Sequence, residues 1–154
     1  MNLDVNGREY EVDPGPVESL ATTLRERLHL TGTKVACDRG ECGACTILLE
    51  GLPVYSCLTV TRSCPGSRIT TIEGVGRPGS LHPVQRAFID HDAAQCGFCT
   101  PGQVLAAIAL LGSDPDPDDA MIDRAMSGNL CRCGTYPGIR AAIRALAESR
   151  RSDG

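Results

Sequence analysis

The sequence of 154 residues contains no tryptophan and few other aromatic residues, with two Phe and three Tyr. Aromatic side chains bury the largest areas in small cores, so neither half of this chain can be anchored on rings. It also lacks an apolar run of about 18 residues, the length that a membrane-spanning helix requires. The N-terminal residues alternate between polar and apolar types, without the basic and then apolar stretches of a signal peptide. The sequence therefore predicts neither a membrane span nor an export signal.

A strong charge of one sign is also missing. The chain has 15 Lys and Arg against 19 Asp and Glu, for a formal net charge of -4. Domains that bind nucleic acid concentrate basic residues on one face. Here basic residues are scattered, apart from a short Arg150–Arg151 pair. The composition therefore predicts no nucleic-acid partner.

Cysteine is abundant instead, with nine residues in tight groups. A secreted disulfide scaffold is expected to have an even number of dispersed cysteines and a signal peptide. The odd number and the clustering favour thiolate ligands of a metal. Halves of about 75 residues bury only about 60% of their unfolded surface, so a metal staple would also supply stability.

The first part of the chain has the pattern of strands around one helix. Alternating residues on both sides of Asn6 and Gly7 predict a β-hairpin with a type I′ turn. A leucine at every fourth position from Leu20 to Leu28 predicts an amphipathic helix, with Gly32 as its C-terminal cap. A loop rich in cysteine and glycine follows.

Further strands are predicted at residues 46–49, 54–60 and 68–72, from their β-branched and apolar residues. A turn at Glu50 and Gly51 joins the first two. Residues 74–79 are dense in glycine and proline and have no periodicity, so they are predicted to be a linker.

The second part has helical periodicity. Four short helices are predicted, the first of which carries Val84, Phe88 and Ile89 on one face. The second begins at Thr100, where a capping box with Gln103 and a proline at the first helical position are predicted. The third opens at residues 116–119, and the fourth begins at Pro137.

The first cysteine group has the spacing CxxxxCxxC, with a fourth cysteine eleven residues further along. This spacing is typical of the plant-type ferredoxin site for one [2Fe–2S] cluster. Gly40 and Gly43 let the backbone approach the cluster sulfurs, because they carry no Cβ. A zinc site is the competing interpretation, although it would normally use paired CxxC knuckles. The candidate ligands are Cys37, Cys42, Cys45 and Cys57.

The second group combines a CxxC immediately before the second predicted helix with a CxC between the third and fourth. Its members are Cys96, Cys99, Cys131 and Cys133. The adjacent helix N-terminus is expected to favour anionic thiolates. On spacing alone a zinc site stays open here, because this pattern is less diagnostic than the first.

Three segments together resemble the iron–sulfur subunit of the xanthine oxidase family of molybdenum hydroxylases. They are residues 36–46, 95–102 and 127–137, and the resemblance extends over nearly the whole chain. Residues 82–85 and 91–95 are most similar to the aldehyde oxidoreductase branch. The resemblance implies an α+β architecture, in which a β-grasp plant-type ferredoxin domain at residues 1–76 precedes a four-helix [2Fe–2S]-binding domain at residues 80–154.

The resemblance also implies that the chain is a non-catalytic electron-transfer subunit with two [2Fe–2S] clusters. The cluster of Cys96, Cys99, Cys131 and Cys133 would be proximal to molybdenum, and that of Cys37, Cys42, Cys45 and Cys57 distal. Gln95 would contact the molybdopterin, in its cytosine dinucleotide form, held by a large molybdenum subunit. Electrons would pass to an FAD-binding subunit or a cytochrome.

Several alternatives stay open. The complex is expected to oxidise aldehydes, and the alternatives are a xanthine, heteroaromatic or carbon monoxide dehydrogenase. A stand-alone ferredoxin carrier and a zinc-stabilised interaction protein are other hypotheses. A cytoplasmic location is the default expectation, with the periplasm open if a partner subunit is exported. Cys64 fits neither cysteine group and is predicted to be a plain small residue, whereas His82 is predicted to lie at a helix start.

Overall fold

The computed structural model describes residues 1–152 and consists of a five-stranded sheet followed by four helices. The strands are β1 (Asn2–Val5), β2 (Arg8–Glu11), β3 (Thr46–Leu49), β4 (Leu52–Tyr55) and β5 (Arg68–Thr70). The helices are α1 (Leu20–Thr22), within the sheet half, and then α2 (Pro83–Asp90), α3 (Thr100–Ser113), α4 (Asp119–Met126) and α5 (Tyr136–Ser152). The predicted α+β class is confirmed.

The sheet has the strand order β2-β1-β5-β3-β4. β1 and β5 run parallel, and the other neighbouring strands run antiparallel. The β1–β2 hairpin turns at Asn6 and Gly7, whose φ angles are 57° and 75°. Two positive φ angles are the requirement of a type I′ turn, so this prediction is confirmed.

The predicted leucine helix has the expected apolar face, since Leu20 and Leu24 are fully buried. Its backbone is less regular than predicted. After the single turn of α1, the chain continues as a π-helical turn over Thr23–Arg27. The leucines face the core in this wider turn as well, so the periodicity of the sequence did not reveal the π-helical backbone.

The C-terminal cap predicted at Gly32 is wrong. His29 has a φ of 57°, in the left-handed region, and Leu30 N donates a hydrogen bond to Leu24 O at 2.9 Å. A left-handed residue followed by a donor that reaches back across the last turn closes the helix. The left-handed residue that closes the helix therefore lies three residues before the glycine, and its type less often adopts this conformation.

Two predicted strands are too long. The strand predicted at 54–60 ends at Tyr55, where Leu58 N donates to Tyr55 O at 3.0 Å and the chain turns away. The strand predicted at 68–72 ends at Thr70, because the backbone N–H of Thr71 donates to the Asn6 side chain at 2.9 Å. A local turn ends the first strand, and a hydrogen bond to a side chain 65 residues away replaces the sheet ladder at the second.

The capping box predicted at Thr100 is also wrong. Thr100 is the first residue of α3, Cys99 is its N-cap, and Gln103 is fully buried. A capping box occurs one helix earlier, at the start of α2. His82 Nδ1 accepts from Val84 N at 3.2 Å, and His82 N donates to the Gln85 side chain at 3.0 Å. The prediction that His82 lies at a helix start is confirmed.

Two hydrophobic cores organise the molecule. One lies under the sheet and includes Leu3, Leu24 and Ile47, all fully buried. The other lies among the helices and extends to Leu48 of β3, because α3 packs directly on this strand. Successive residues of β3 thus point into different cores, as expected of a strand that is covered on both faces.

Glu18 anchors the π-helical turn. Its carboxylate accepts from Thr23 Oγ1 at 2.7 Å and, in a bidentate pair, from the Arg27 guanidinium at 2.7 Å. The hydrogen bonds from Arg27 and then Thr23 lower the pKa of Glu18 from 4.5 to about 2. The ionised form is therefore stabilised by folding.

We expect Glu18→Gln to lower the free energy of unfolding by about 1 kcal/mol at neutral pH, because it removes these charge-assisted bonds from a half-buried carboxylate. A folded-state pKa below the ordinary value stabilises the protein above pH 4.5, and this contribution is lost as pH falls toward about 2. Urea titration should show that the difference in the free energy of unfolding between wild type and variant becomes smaller as the pH falls through this window. Glu26→Gln, at an exposed carboxylate of the same turn, is the control; an equal loss there would contradict the prediction.

Candidate metal centres

Three cysteines of the first group lie on the long irregular segment between the π-helical turn and β3. Cys37, Cys42 and Cys45 are brought close together by this segment, and Cys57 joins them from the turn after β4. Cys45 is buried, whereas the other three are half-buried. The structure thus brings together all four residues of the first predicted set.

Backbone N–H groups point at the sulfur of Cys37. Glu41 N and Cys42 N each donate to its Sγ at 3.4 Å. Hydrogen bonds from the backbone of Arg39, Glu41 and Cys42 lower the pKa of Cys37 to about 6. The loop therefore stabilises a thiolate, the form that ligates metals.

The thiols of the first group meet in pairs. The thiol of Cys37 interacts with that of Cys42, and the thiol of Cys57 with that of Cys45. Burial, followed by the hydrogen bond to Cys45, raises the pKa of Cys57 to about 11. Cys37 therefore ionises readily, whereas Cys57 stays neutral. Because metal ligands must be deprotonated, binding of a cation would be needed to ionise all four thiols.

The second group lies on two interhelical loops. Cys96 and Cys99 end the loop before α3, and Cys131 and Cys133 lie between α4 and α5. Their thiols also meet in pairs, Cys96 with Cys133 and Cys99 with Cys131. Cys96 and Cys133 are exposed, whereas Cys131 is buried. The second predicted set is therefore also brought together.

The environment of the second group differs from the sequence expectation at Cys99. Burial, followed by the hydrogen bond with Cys131, raises the pKa of this N-cap thiol to about 12. At Cys131 burial acts in the same direction, but hydrogen bonds from Thr135 outweigh it and lower the pKa to about 7. Cys131 Sγ lies 3.1 Å from Thr135 Oγ1 and accepts from Thr135 N at 3.5 Å.

The paired arrangement differs from that of a single-ion site. Structural zinc is held by four donors around one point, with Zn–S distances of about 2.3 Å. Within residues 1–152, no three or more His, Cys, Asp or Glu side chains converge as ligands of one metal ion. Four cysteines per group supply the thiolate set that holds a [2Fe–2S] cluster.

The two groups are joined by a backbone hydrogen bond. Leu130 N, adjacent to Cys131, donates to Cys42 O at 2.8 Å. A ligand residue of the first set is thus linked to the neighbour of a ligand residue of the second. The two candidate centres belong to one continuous structure.

Sequence reasoning missed two buried polar residues at this junction, Gln103 and Asn129. Gln103 is flanked on its own helical face by the buried Ala107 and Leu110. A polar residue at an apolar position of a helix must find a hydrogen-bond partner when buried. That pattern is the signal which would have marked Gln103 as structurally important.

Gln95 is exposed, next to Cys96, on the loop between α2 and α3. Exposed apolar side chains lie close in sequence to the cysteines of the second group. Phe98, Leu130 and Tyr136 are 45%, 53% and 44% exposed. Exposed apolar side chains gathered in one region are a common feature of surfaces that bind another protein.

Cys64 is buried in the sheet core and belongs to neither group of contacting thiols. Its Sγ lies 3.7 Å from Val60 O, as expected of a weak donor. This burial agrees with the prediction of a plain small residue.

No helix between residues 1 and 152 is long and apolar enough to cross a membrane.

Two family models match the chain in sequence. Residues 3–64 match the 2Fe-2S iron-sulfur cluster binding domain, and residues 71–144 match the [2Fe-2S] binding domain. Each model covers one of the two cysteine groups described above. The match therefore extends over both candidate centres.

Similar proteins cover nearly the whole chain. A nicotinate dehydrogenase subunit of Pseudomonas putida is 46% identical over 98% of this chain and 96% of its own length. The aldehyde oxidoreductase iron-sulfur-binding subunit PaoA of Escherichia coli is 45% identical over 93% of this chain and 69% of its own.

Solved structures show the same fold. Quinoline 2-oxidoreductase of Pseudomonas putida 86 superposes with a TM-score of 0.89 at 42% identity, over 99% of this chain and 95% of that one. Aldehyde oxidoreductase of Desulfovibrio gigas superposes with a TM-score of 0.91 at 39% identity, over 98% of this chain. The present chain covers only 17% of that longer protein.

Proposed function

Because this chain belongs to the iron–sulfur small subunits of the xanthine oxidase family, we propose that it relays single electrons within a molybdenum hydroxylase complex. The observation that carries the proposal is the convergence of eight cysteines in two groups of four, on loops that share the Leu130–Cys42 hydrogen bond. Such an arrangement holds two redox centres close together within one chain.

The ligands of the two centres follow from the pairs. We assign Cys37 with Cys42, and Cys45 with Cys57, to the two irons of one cluster. Cys96 with Cys133, and Cys99 with Cys131, hold the irons of the other. When bound, a [2Fe–2S] cluster accepts and releases one electron, at a potential that hydrogen bonds to sulfur and solvent exposure tune. Glu41 N and Cys42 N supply such bonds at Cys37.

The exposed side of the second group is proposed to face the large molybdenum subunit. Cys96 and Cys133 are exposed there, among Phe98 and Tyr136. Gln95 is proposed to contact the molybdopterin, in its cytosine dinucleotide form, because its exposed amide is adjacent to a ligand of this cluster. Electrons would then leave through the first group to an FAD-binding subunit or a cytochrome.

Two structural units, residues 1–76 and 80–154, are part of the proposal. The separate cores under the sheet and among the helices support this division. The compartment is proposed to be that of the molybdenum subunit, with the cytoplasm as the default.

The substrate belongs to the partner subunit. We propose an aldehyde as the substrate, because residues 82–85 and 91–95 resemble the aldehyde oxidoreductase branch. Nicotinate is the second candidate, because the Pseudomonas putida nicotinate dehydrogenase subunit is 46% identical to this chain. Reduction of the purified complex by each compound distinguishes the two.

The first experiment is an iron and acid-labile sulfide assay on anaerobically purified chain, with electron paramagnetic resonance after reduction. We expect about four irons and about four sulfides per chain, with two distinct signals, because each cluster contains two of each. Zinc without sulfide would overturn the proposal and leave a structural metal protein. Copurification with a molybdenum subunit separates the relay from a stand-alone ferredoxin.

A further inference from the structure

Asn129 lies between the loops that carry the two cysteine groups and is only 4% exposed. Its Nδ2 donates hydrogen bonds to Gly43 O at 2.9 Å and to Thr46 Oγ1 at 3.0 Å. Its backbone carbonyl accepts from Gln103 Nε2 at 2.7 Å. One buried residue therefore binds both the segment of the first group and the helix that follows Cys99.

Each of these partners is close in sequence to a proposed cluster ligand. Gly43 and Thr46 are on either side of the third cysteine of the first set, with Thr46 immediately after it. Gln103 lies about one helical turn after the second cysteine of the second set. Asn129 itself precedes the third cysteine of that set by two residues. A movement of Asn129 would thus be transmitted to ligands of both clusters.

The packing around this amide leaves no room for adjustment. Gly43 has a φ of 70°, and a Cβ there would lie 2.8 Å from Asn129 Nδ2. A Cβ on Gly102, at the start of α3, would lie 2.6 Å from Gly43 O. Because backbone meets backbone here, the separation of the two loops is set by hydrogen bonds rather than by deformable side chains.

We infer that Asn129 is a positioning residue for electron transfer between the two clusters, an inference that rests on the function proposed above. In this step one electron leaves the reduced cluster of the helical half and enters the oxidised cluster of the sheet half. No bond forms or breaks, and no proton moves. The rate of such a transfer falls steeply with distance, so a residue that holds the two loops together controls it.

The test compares cluster-loaded full-length variants. Asn129→Ala is expected to retain iron, sulfide and both cluster signals. It is also expected to shift the spin–spin splitting of the doubly reduced protein and to slow equilibration between the clusters after one electron is injected photochemically. Thr46→Val removes the hydroxyl that accepts from Asn129 and donates to Gly43 O at 2.7 Å, and it should shift the splitting in the same direction. Thr46→Ser keeps this hydroxyl and should resemble wild type.

Tyr55→Phe is the control for a general loosening of the contact. Tyr55 Oη donates to Gly128 O at 2.8 Å beside the same loops, but bonds to none of the partners of Asn129. The spin–spin splitting of Tyr55→Phe should equal that of wild type. A shift as large as that of Asn129→Ala would overturn the inference. Wild-type splitting and rate in both Asn129→Ala and Thr46→Val would overturn it as well.

If Asn129→Ala loses a cluster, the two Thr46 variants decide, because Thr46→Val keeps the size of the side chain and Thr46→Ser keeps its hydroxyl. A shifted spin–spin splitting in Thr46→Val, with the wild-type splitting in Thr46→Ser, supports the inference. Equal splittings in the two variants overturn it. A wild-type chain without two clusters would instead defeat the proposed function itself, so the two failures are distinguishable.

Discussion

Removal of iron and sulfide is expected to unfold most of the chain, because the thiol-bearing segments have little other support. Residues 29–45 form neither helix nor strand, and their cysteines are the groups that a cluster would tie together. Metal–thiolate ligation contributes on the order of 10 kcal/mol to the folding of small domains. That is comparable with the whole stability of a typical domain, about 5–15 kcal/mol.

The measurement is a far-ultraviolet circular dichroism melt of chelator-treated protein, kept reduced so that no disulfides form. The expected result is a weak helical signal without a cooperative transition, and recovery of both after reconstitution with iron and sulfide. A cooperative melt of the metal-free protein at a temperature near that of the loaded protein would show that the two hydrophobic cores suffice.

Cys42→Ser and Cys99→Ser are each expected to remove one cluster and leave the other detectable. Each substitution takes one thiolate from a contacting pair, and a cluster with two irons needs four protein ligands. Iron should fall from about four to about two per chain, and one paramagnetic signal should disappear while the other stays.

Cys64→Ala is the matched control, because this buried cysteine lies outside both groups. It should retain the full iron content and both signals. Loss of both clusters in Cys42→Ser would mean that the two halves do not fold independently. Retention of both would remove Cys42 from the ligand set.

Short-range features of the fold were predictable, because they depend on neighbouring residues. The turn at Asn6 and Gly7 is specified by two residue types that tolerate a positive φ. The end of the leucine helix was not, because His29 adopts the left-handed conformation with no sequence mark comparable to glycine. The spacing of the cysteines predicted which residues belong together, but not which thiols form pairs.

The contact between the two groups was beyond the reach of sequence reasoning. Asn129 and Gly43 are 86 residues apart, and no local pattern connects them. Gln103 was misassigned to a capping box for a related reason. The motif depends on four consecutive residues, whereas the actual partner of the Gln103 side chain is the carbonyl of Asn129 on a distant loop.

The position of Leu48 limits how this protein can be divided or recombined. Its side chain lies in the helical core although β3 belongs to the sheet. A fragment that ended at residue 76 would therefore present a bare apolar face along β3, a surface prone to aggregation. Protein engineers who transplant the ferredoxin-like module into another host would need to bring α3 with it, or replace Leu48 by a polar residue.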